Sequence, residues 1–476
     1  MKRRGYLYVA FATTLNVILY ALTCGRYIWL EGRVRGGVFR NWCRRYRHRP
    51  AHFATPRTEE EIVSLVKNSK GAVRFFGAGH SFNEGILVEG QTLASLDNFT
   101  GLLWRDLTKM QVAFKGGTRV RDISRALFER GVAIGALPSH DAQSIAGIIS
   151  TDVHGTGRDW GFVSEWVDAI KLVDGNGVVH VLKPEDELFK AAIGGIGGVG
   201  VITEVVLRGV PRFNIDQRVE LSTRDYVRKN FNKLFNGNKH FSLYLYPFTE
   251  TCQINTWNPT TKPQSFLGPL REFLAISKDA LLSAWFGGFM AVTGLLPNWS
   301  RWAYGFRRGT DLVLESYKGY NRTIYPLHQE LEFTVPVKDV LETCKKFTEL
   351  YERMYLEKKL PYMLIEVRFT PAGHDCTLLG AGRERASAWL NLCCNDYGRF
   401  EEYYAEAEKL MREVGARPHL GKYCQSFDKN DLLRAHGEHF EHFAQLREEH
   451  DPDGKFLNVF THRVFHGAPP PSESGR

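Results

Sequence analysis

The sequence predicts an α+β protein with two mixed domains behind an N-terminal transmembrane helix. Three observations point there. Strand-period and helix-period patterns intermingle along the whole body rather than segregating. An uncharged run from Gly5 to Gly25 precedes that body. Loops rich in Gly, Ser and Thr recur between the patterned segments.

The N-terminal run comes first. Lys2, Arg3 and Arg4 precede it and Arg26 follows directly. As a helix it would span about 30 Å, the thickness of a bilayer core. Asn16 and three threonines temper its apolar character. A cleaved signal peptide is the competing reading, and a lipoprotein cysteine at Cys24 a weaker one. No small-x-small cleavage site stands out, so a retained single-pass anchor is expected. More positive charge follows the run than precedes it, from Arg26 through Arg33, Arg35, Arg40, Arg44, Arg45, Arg47 and Arg49. The positive-inside rule then places the body on the cytoplasmic side. The same arginines could equally rest on anionic headgroups or form a solvated basic linker.

That segment also accounts for the charge. The chain of 476 residues carries a formal +9, yet residues 1–50 hold all the basic excess and the body is near neutral. The body therefore lacks the electrostatic footprint of a nucleic-acid binder, and no nucleic-acid partner is expected. The cysteines are scattered, with no C-x-x-C spacing, and read as reduced thiols. A second uncharged stretch, Ala280 to Ser300, is interrupted by Gly287, Gly288, Gly294 and Pro297. A span there would separate two halves that share one site. It is expected to be an interfacial or buried helix.

Through the body the elements follow in order. Thr58–Glu61 fits a capping box ahead of Ile62, Leu65 and Val66. "AVRFF" and "QVAFKGG" read as strands, with an amphipathic helix near Val120–Arg130. "WVDAIKLVDGNGVVHVL" reads as a hairpin turning at Asp174–Gly177. "PEDELFKAAI" reads as a helix and "VITEVVL" as a strand, closing a first region near Pro211. The second region carries strands at "HFSLYLYPF" and "YMLIEVRFT" and helices at "FEEYYAEAEKLMREV" and "HGEHFEHFAQLREEH".

"GIGGVG", Gly195 to Gly200, matches G-x-G-x-x-G literally, but a helix precedes it and a strand follows. A dinucleotide fingerprint needs the reverse order. The glycines still permit close backbone approach to a ligand. Together with Gly77–Ser81, Gly116–Thr118 and "SIAGIISTDVHGTG" they suit a large phosphate-bearing cofactor held by backbone N–H groups. In "YMLIEVRFT", strand periodicity puts Glu366 and Arg368 on one face, opposite Met363, Ile365 and Val367. "RPHLGK" gathers basic groups in a turn ending at Lys422. His436, His439 and His442 lack H-E-x-x-H spacing, so no metal is expected.

Six segments, "GAGHSFN", "SIAG…HGTG", "GGVGVIT", "IEVRFT", "RPHLGK" and "DPDGKFLN", occur in this order from about Val38 to Phe465. On these the chain resembles the FAD-linked aldonolactone oxidases, L-gulonolactone oxidase-like members of the vanillyl-alcohol oxidase flavoprotein group. The resemblance implies a two-subdomain FAD-binding domain over residues 51–213 and an α+β substrate (cap) domain over 214–466. Around these lie the anchor (1–28), a basic linker (29–50) and a flexible tail (467–476). It implies FAD, covalently attached through His80. Gly77, Ala78, Gly79, Ser81 and Asn83 would wrap the pyrophosphate. Ser144, Gly147, His154, Gly155, Gly197, Gly200, Val201 and Ile202 would complete the cofactor site. Thr156 would lie near the isoalloxazine or the substrate. Glu366 and Arg368 would contact substrate hydroxyls, and Lys422 would lie beside the flavin N1. The implied reaction is hydride transfer from a sugar-1,4-lactone (L-gulono-, L-galactono- or D-arabinono-) to flavin N5. Reoxidation by oxygen would give hydrogen peroxide and an ascorbate-type product. The alternative is a membrane-bound lactone or alditol dehydrogenase that uses a quinone or cytochrome. "RPHLGK" departs from the pattern with Leu420 where relatives carry tryptophan, and "WLNLCC" offers no match to a histidine of the alditol oxidases.

Overall fold

Three sheets, each explained by its alternation pattern, position everything else in the computed structural model. The structure describes residues 5–23, 31–88, 90–303, 310–321 and 324–467; of the predicted tail 467–476 all but Gly467 lies outside them. His52–Ala54, Thr92–Ser95 and Val73–Phe76 form a small parallel sheet with Thr92–Ser95 in the middle. A five-stranded antiparallel sheet runs in the order Val179–Leu182, Val167–Val173, Val201–Arg208, Gln111–Lys115, Leu102–Asp106. The predicted hairpin is its edge, and Asp174 N and O close the turn with Val178 N–H donating to Asp174 Oδ1 at 2.9 Å. The helix expected at the capping box is Glu59–Asn68. Thr58 Oγ1 accepts from Glu61 N at 3.2 Å, while the Glu61 carboxylate reaches back to Arg57 N rather than to the cap residue.

The second region is built on an eight-stranded sheet. Its order is Thr310–Glu315, Asn214–Thr223, Thr251–Thr260, His240–Leu245, Met363–Thr370, Ser387–Asn395, His328–Pro336, Arg417–Pro418. Period-2 alternation gives its central strands two distinct faces. Met363, Ile365, Val367, Leu390, Leu392, Leu331 and Phe333 are buried in the main core. Helices Val340–Lys358 and Phe400–Glu413 contribute to the same core, with Tyr404 donating to Gln329 O and Leu392 O. The opposite face carries the polar residues described below. The C-terminal segment returns to the first region, where Val73 N donates to Lys455 O at 2.8 Å.

Two expectations need correction. The N-terminal run is a helix from Tyr6 to Leu22, about 25 Å long and short of a bilayer core. No described helix is long and apolar enough to cross a membrane. Instead Val9, Ala10 and Ala12 are buried against Trp42, Phe82 and Ala284, and Leu327 N donates to Thr13 Oγ1. Of the expected anchor 1–28, residues 1–4 and 24–28 lie outside the described residues, and the described helix Tyr6–Leu22 packs against the body. The second correction concerns the three histidines near the C-terminus. They do not share a helix, because Gly437 at φ +53° separates Lys429–His436 from Glu438–His450. His436 is buried, whereas His439 and His442 are partly exposed and lie 3.4 and 3.5 Å from the Glu384 and Glu187 carboxylates. The Ala280–Ser300 stretch is the end of helix Gly268–Leu282, a π-turn at Ser283–Gly287 and helices Gly288–Thr293 and Leu296–Ala303.

Candidate active site

Cross-strand register assembles the polar face. Glu366 is opposite Asn391, which is opposite Glu332; Arg368 is opposite Trp389, which is opposite Thr334; Cys393 is opposite Glu330. Because i and i+2 share a face, His328, Glu330 and Glu332 project beside Glu366 and Arg368. Arg368 donates to Glu332 Oε1 at 2.6 Å and its Nε lies 3.8 Å from Glu366. Lys422 pairs with Glu330 and lies 3.4 Å from Glu332. His154 stacks on Trp389 at 3.7 Å and its Nε2 is 3.2 Å from Glu332.

Glu330 and Glu332 are thus matched by Lys422 and Arg368 in a buried place, with Glu366 at the edge of Arg368. Burial alone would raise the Glu330 and Glu332 carboxyls, but Lys422 with His328 on the first, and Lys422 with Arg368 on the second, outweigh it and leave both lowered. Burial works against the Lys422 ammonium as well, and Glu330 and Glu332 raise it nonetheless. At His419 and His140 burial outweighs the raising influence of Glu332 and Glu330 respectively, and both fall to about 3. Asn391 sits between the carboxylates, 1% exposed, with neither amide atom hydrogen-bonded. Buried polar groups are seldom left that way, and Asn391 lies between the carboxylates without lining either cavity described below.

The expected cofactor loop lies directly against this cluster. Val73–Phe76 ends in Gly77, Ala78, Gly79, His80, Ser81 and Asn83, all lining one cavity of about 190 Å³. Ser144, Gly147, His154, Gly197, Gly200, Val201 and Ile202 line it too, as do Arg368 and Lys422. A Cβ on Gly77 would lie 2.0 Å from Ser144 Oγ, so only glycine allows this approach. Asn83 Nδ2 donates to Leu420 O and Lys422 O, stitching the loop to the lysine turn. His80 packs parallel to Trp42 and edge-on to His140 at 4.4 Å. Its Nε2 is buried without a hydrogen-bond partner. Burial, then His140 and Arg119, push its pKa well below the usual range, so the ring is neutral.

Three expected residues sit differently. Thr156 does not line the cavity. Its hydroxyl donates to Phe241 O and accepts from Phe369 N, tying two strands of the large sheet together. Gly155 is likewise off the cavity, packed against Leu137 O. Glu366 lines a second cavity of about 130 Å³, which shares Tyr325, His328 and Glu330 with the first. Glu330, Glu332, Asn391 and His328 were missed by the sequence reading. The alternation in "HQELEF" carried the signal, since His328, Glu330 and Glu332 alternate with Leu331 and Phe333. Outside the site, Asp174, His180 and His450 bring three ligand-type atoms together at the surface hairpin.

Comparison with known proteins agrees with this geometry. The family model of D-arabinono-1,4-lactone oxidase matches residues 205–464. An FAD binding domain model matches residues 50–183. L-gulonolactone oxidase of Bos taurus is 26% identical over 447 residues, covering 91% of this chain and 99% of that protein. L-gulono-1,4-lactone dehydrogenase of Mycobacterium tuberculosis is 25% identical over 447 residues, covering 90% and 99%. Among solved structures, a variant of the cholesterol oxidase from Brevibacterium sterolicum aligns at TM-score 0.69 and 16% identity, covering 90% of this chain and 97% of that one. That last likeness shows a shared α+β fold. The cofactor is FAD, and the unpartnered polar atoms of His80, Arg119 and Gln143 beside the glycine cradle fit such a group. The chain belongs to the D-arabinono-1,4-lactone oxidase family, whose members are FAD-linked oxidoreductases acting on CH–OH groups.

Proposed function

We propose that this protein oxidises a sugar-1,4-lactone of the L-gulono-, L-galactono- or D-arabinono- type, with oxygen as acceptor, hydrogen peroxide as by-product and an ascorbate-type main product. The observation that supports it most is the buried Glu330–Glu332–Lys422–Arg368 cluster facing the glycine cradle, beside the unpartnered Asn391. When bound, FAD supplies the hydride acceptor. Residues 51–213 hold it and 214–466 present the substrate. Glu366 orients the reacting hydroxyl and takes its proton. Arg368 Nε hydrogen-bonds the ring hydroxyls. Arg368 and Lys422 offset the negative charge that develops as the C–H bond breaks. His80, neutral and with Nε2 free, is the covalent attachment point.

The second reading, a dehydrogenase that passes electrons to a quinone or cytochrome, is favoured by the dehydrogenase among the relatives. One anaerobic titration separates them. L-gulono-, L-galactono- and D-arabinono-1,4-lactone and xylitol are added singly while the flavin absorbance is followed, and air is then admitted. Bleaching by a lactone with rapid recovery and peroxide is expected. Slow recovery selects the dehydrogenase. No bleaching by any of the four overturns the lactone assignment.

A further inference from the structure

Away from the active site, the C-terminal segment meets the first region at the hairpin of residues 167–182. Gly175 N donates to His450 O at 2.7 Å, and Lys455 Nζ donates to Gly175 O at 3.1 Å. A Cβ on Gly175 would lie 2.5 Å from Asp451 Oδ1, so the close approach needs glycine there. The same segment supports the cofactor loop. Val73 N donates to Lys455 O and Arg74 to Phe456 O, both at 2.8 Å, on the strand that leads into Gly77.

Asp174, His180 and His450 bring one carboxylate oxygen and two imidazole nitrogens to this junction, all within 4.8 Å of one another. His180 Nε2 lies 2.9 Å from Asp174 Oδ2, and His450 Nδ1 lies 3.4 Å from the same oxygen. The two rings stand at 89° with centroids 5.1 Å apart, so they converge on the carboxylate without stacking. Hydrogen bonding accounts for only one of these contacts. A charge-assisted bond is about 2.7–2.9 Å long, which the His450 contact exceeds. A tetrahedral ion with bonds of about 2.0–2.1 Å holds its ligand atoms roughly 3.3–3.4 Å apart, and the two observed separations bracket that spacing.

The surroundings suit an ion. Asp174 Oδ1 accepts from Asn176 N and Val178 N, both at 2.9 Å, which leaves Oδ2 to face the imidazoles. His450 is the last residue of helix Glu438–His450, where the helix dipole favours a cation. The His180 and His450 side chains are 24% and 15% exposed, so an ion can enter and water can complete its shell. The other group of three ligand types, His154, Glu332 and His419, is a poor rival, because Arg368 and Lys422 already pair with Glu332.

We propose that Asp174, His180 and His450 bind a divalent transition-metal ion of the zinc type, which clamps the C-terminal segment to the hairpin. Two imidazoles and one carboxylate are a donor set that suits zinc over magnesium or calcium. Asp174 and His450 lie 276 residues apart, so no short motif announces the set.

The test uses the full-length flavoprotein, dialysed against EDTA and titrated with zinc chloride in a calorimeter. Wild type is expected to bind one equivalent. Its Tm should rise by roughly 3 °C at about 100 times the dissociation constant, for a chain of this length. His180→Gln and His450→Gln are each expected to weaken binding by about tenfold or more and to remove the rise. His439→Gln, at a partly exposed histidine outside the cluster, should change neither. Each variant is read against its own melt in EDTA, and should one fail to fold, the other decides. Wild type that takes up no zinc overturns the proposal, as do His180 and His450 variants that bind like wild type. Zinc that survives in both variants and is displaced by the lactone belongs to the active site instead. An equal Tm rise with magnesium chloride overturns the zinc-type assignment.

Discussion

Replacing Lys422 with Met removes the cation shared by Glu330 and Glu332 while keeping most of the side-chain volume. Lys422 is the leading favourable influence on both carboxylates. Its loss leaves Glu332 with Arg368 and His154, and Glu330 with His328 and the weakly donating Cys393 thiol. Breaking a buried pair from one side costs about 3–5 kcal/mol. The surviving partners put this case near the lower end, about 3 kcal/mol, or a Tm lower by roughly 3 °C for a chain of this size. The pH dependence identifies the cause. In the wild type both carboxyls are depressed, so their stabilisation is present above the unfolded value of about 4.3 and is lost as pH falls toward the folded pKa values. In the variant burial at Glu330 loses its main opposing charge and that carboxyl rises above about 4.3, while Arg368 and His154 still oppose burial at Glu332. The folded variant then takes up protons before the unfolded chain does, and acid stabilises it between about pH 7 and pH 4. The deficit relative to wild type should be largest near pH 8 and shrink at pH 5. Lys422 itself, raised in the fold, adds stability that is lost only above about pH 10. Thermal melts at the two pH values read this directly. An equal deficit at both, or one below about 1 kcal/mol, would refute the reasoning.

Two further predictions concern single side chains. His80→Ala should leave FAD releasable by acid precipitation, where the wild type retains it; flavin still pelleting with the variant would exclude His80 as the attachment point. Asn391→Leu should leave Tm unchanged or higher, because it replaces buried unpaired polar atoms with apolar ones. A large loss of Tm in a thermal melt would show that these atoms are hydrogen-bonded in the fold.

Local rules carried much of this protein. The capping residue Thr58, the Asp174–Gly177 hairpin and the wrong-way order around Gly195–Gly200 each depend on neighbours within a few residues, and each was legible. So was the shared face of Glu366 and Arg368, which follows from strand periodicity alone. The ordered motifs also indicated the cofactor. What depends on register between distant strands was not legible. Glu330 and Glu332 meet Arg368 only because His328–Pro336 and Met363–Thr370 both pair with Ser387–Asn395. Thr156 looked like a ligand residue by its motif, yet its hydroxyl is satisfied by two backbone groups far along the chain.

The N-terminal run shows the division most clearly. The sequence by itself determined that Tyr6–Leu22 is helical and uncharged, since composition and hydrogen bonding within one segment decide both. Whether such a helix crosses a membrane or lies against the body depends on what its small and polar side chains find to pack on. Only the tertiary structure decided that, by placing Thr13 under Leu327 N and Val9 and Ala10 among Trp42, Phe82 and Ala284, and by leaving the large apolar residues facing outward.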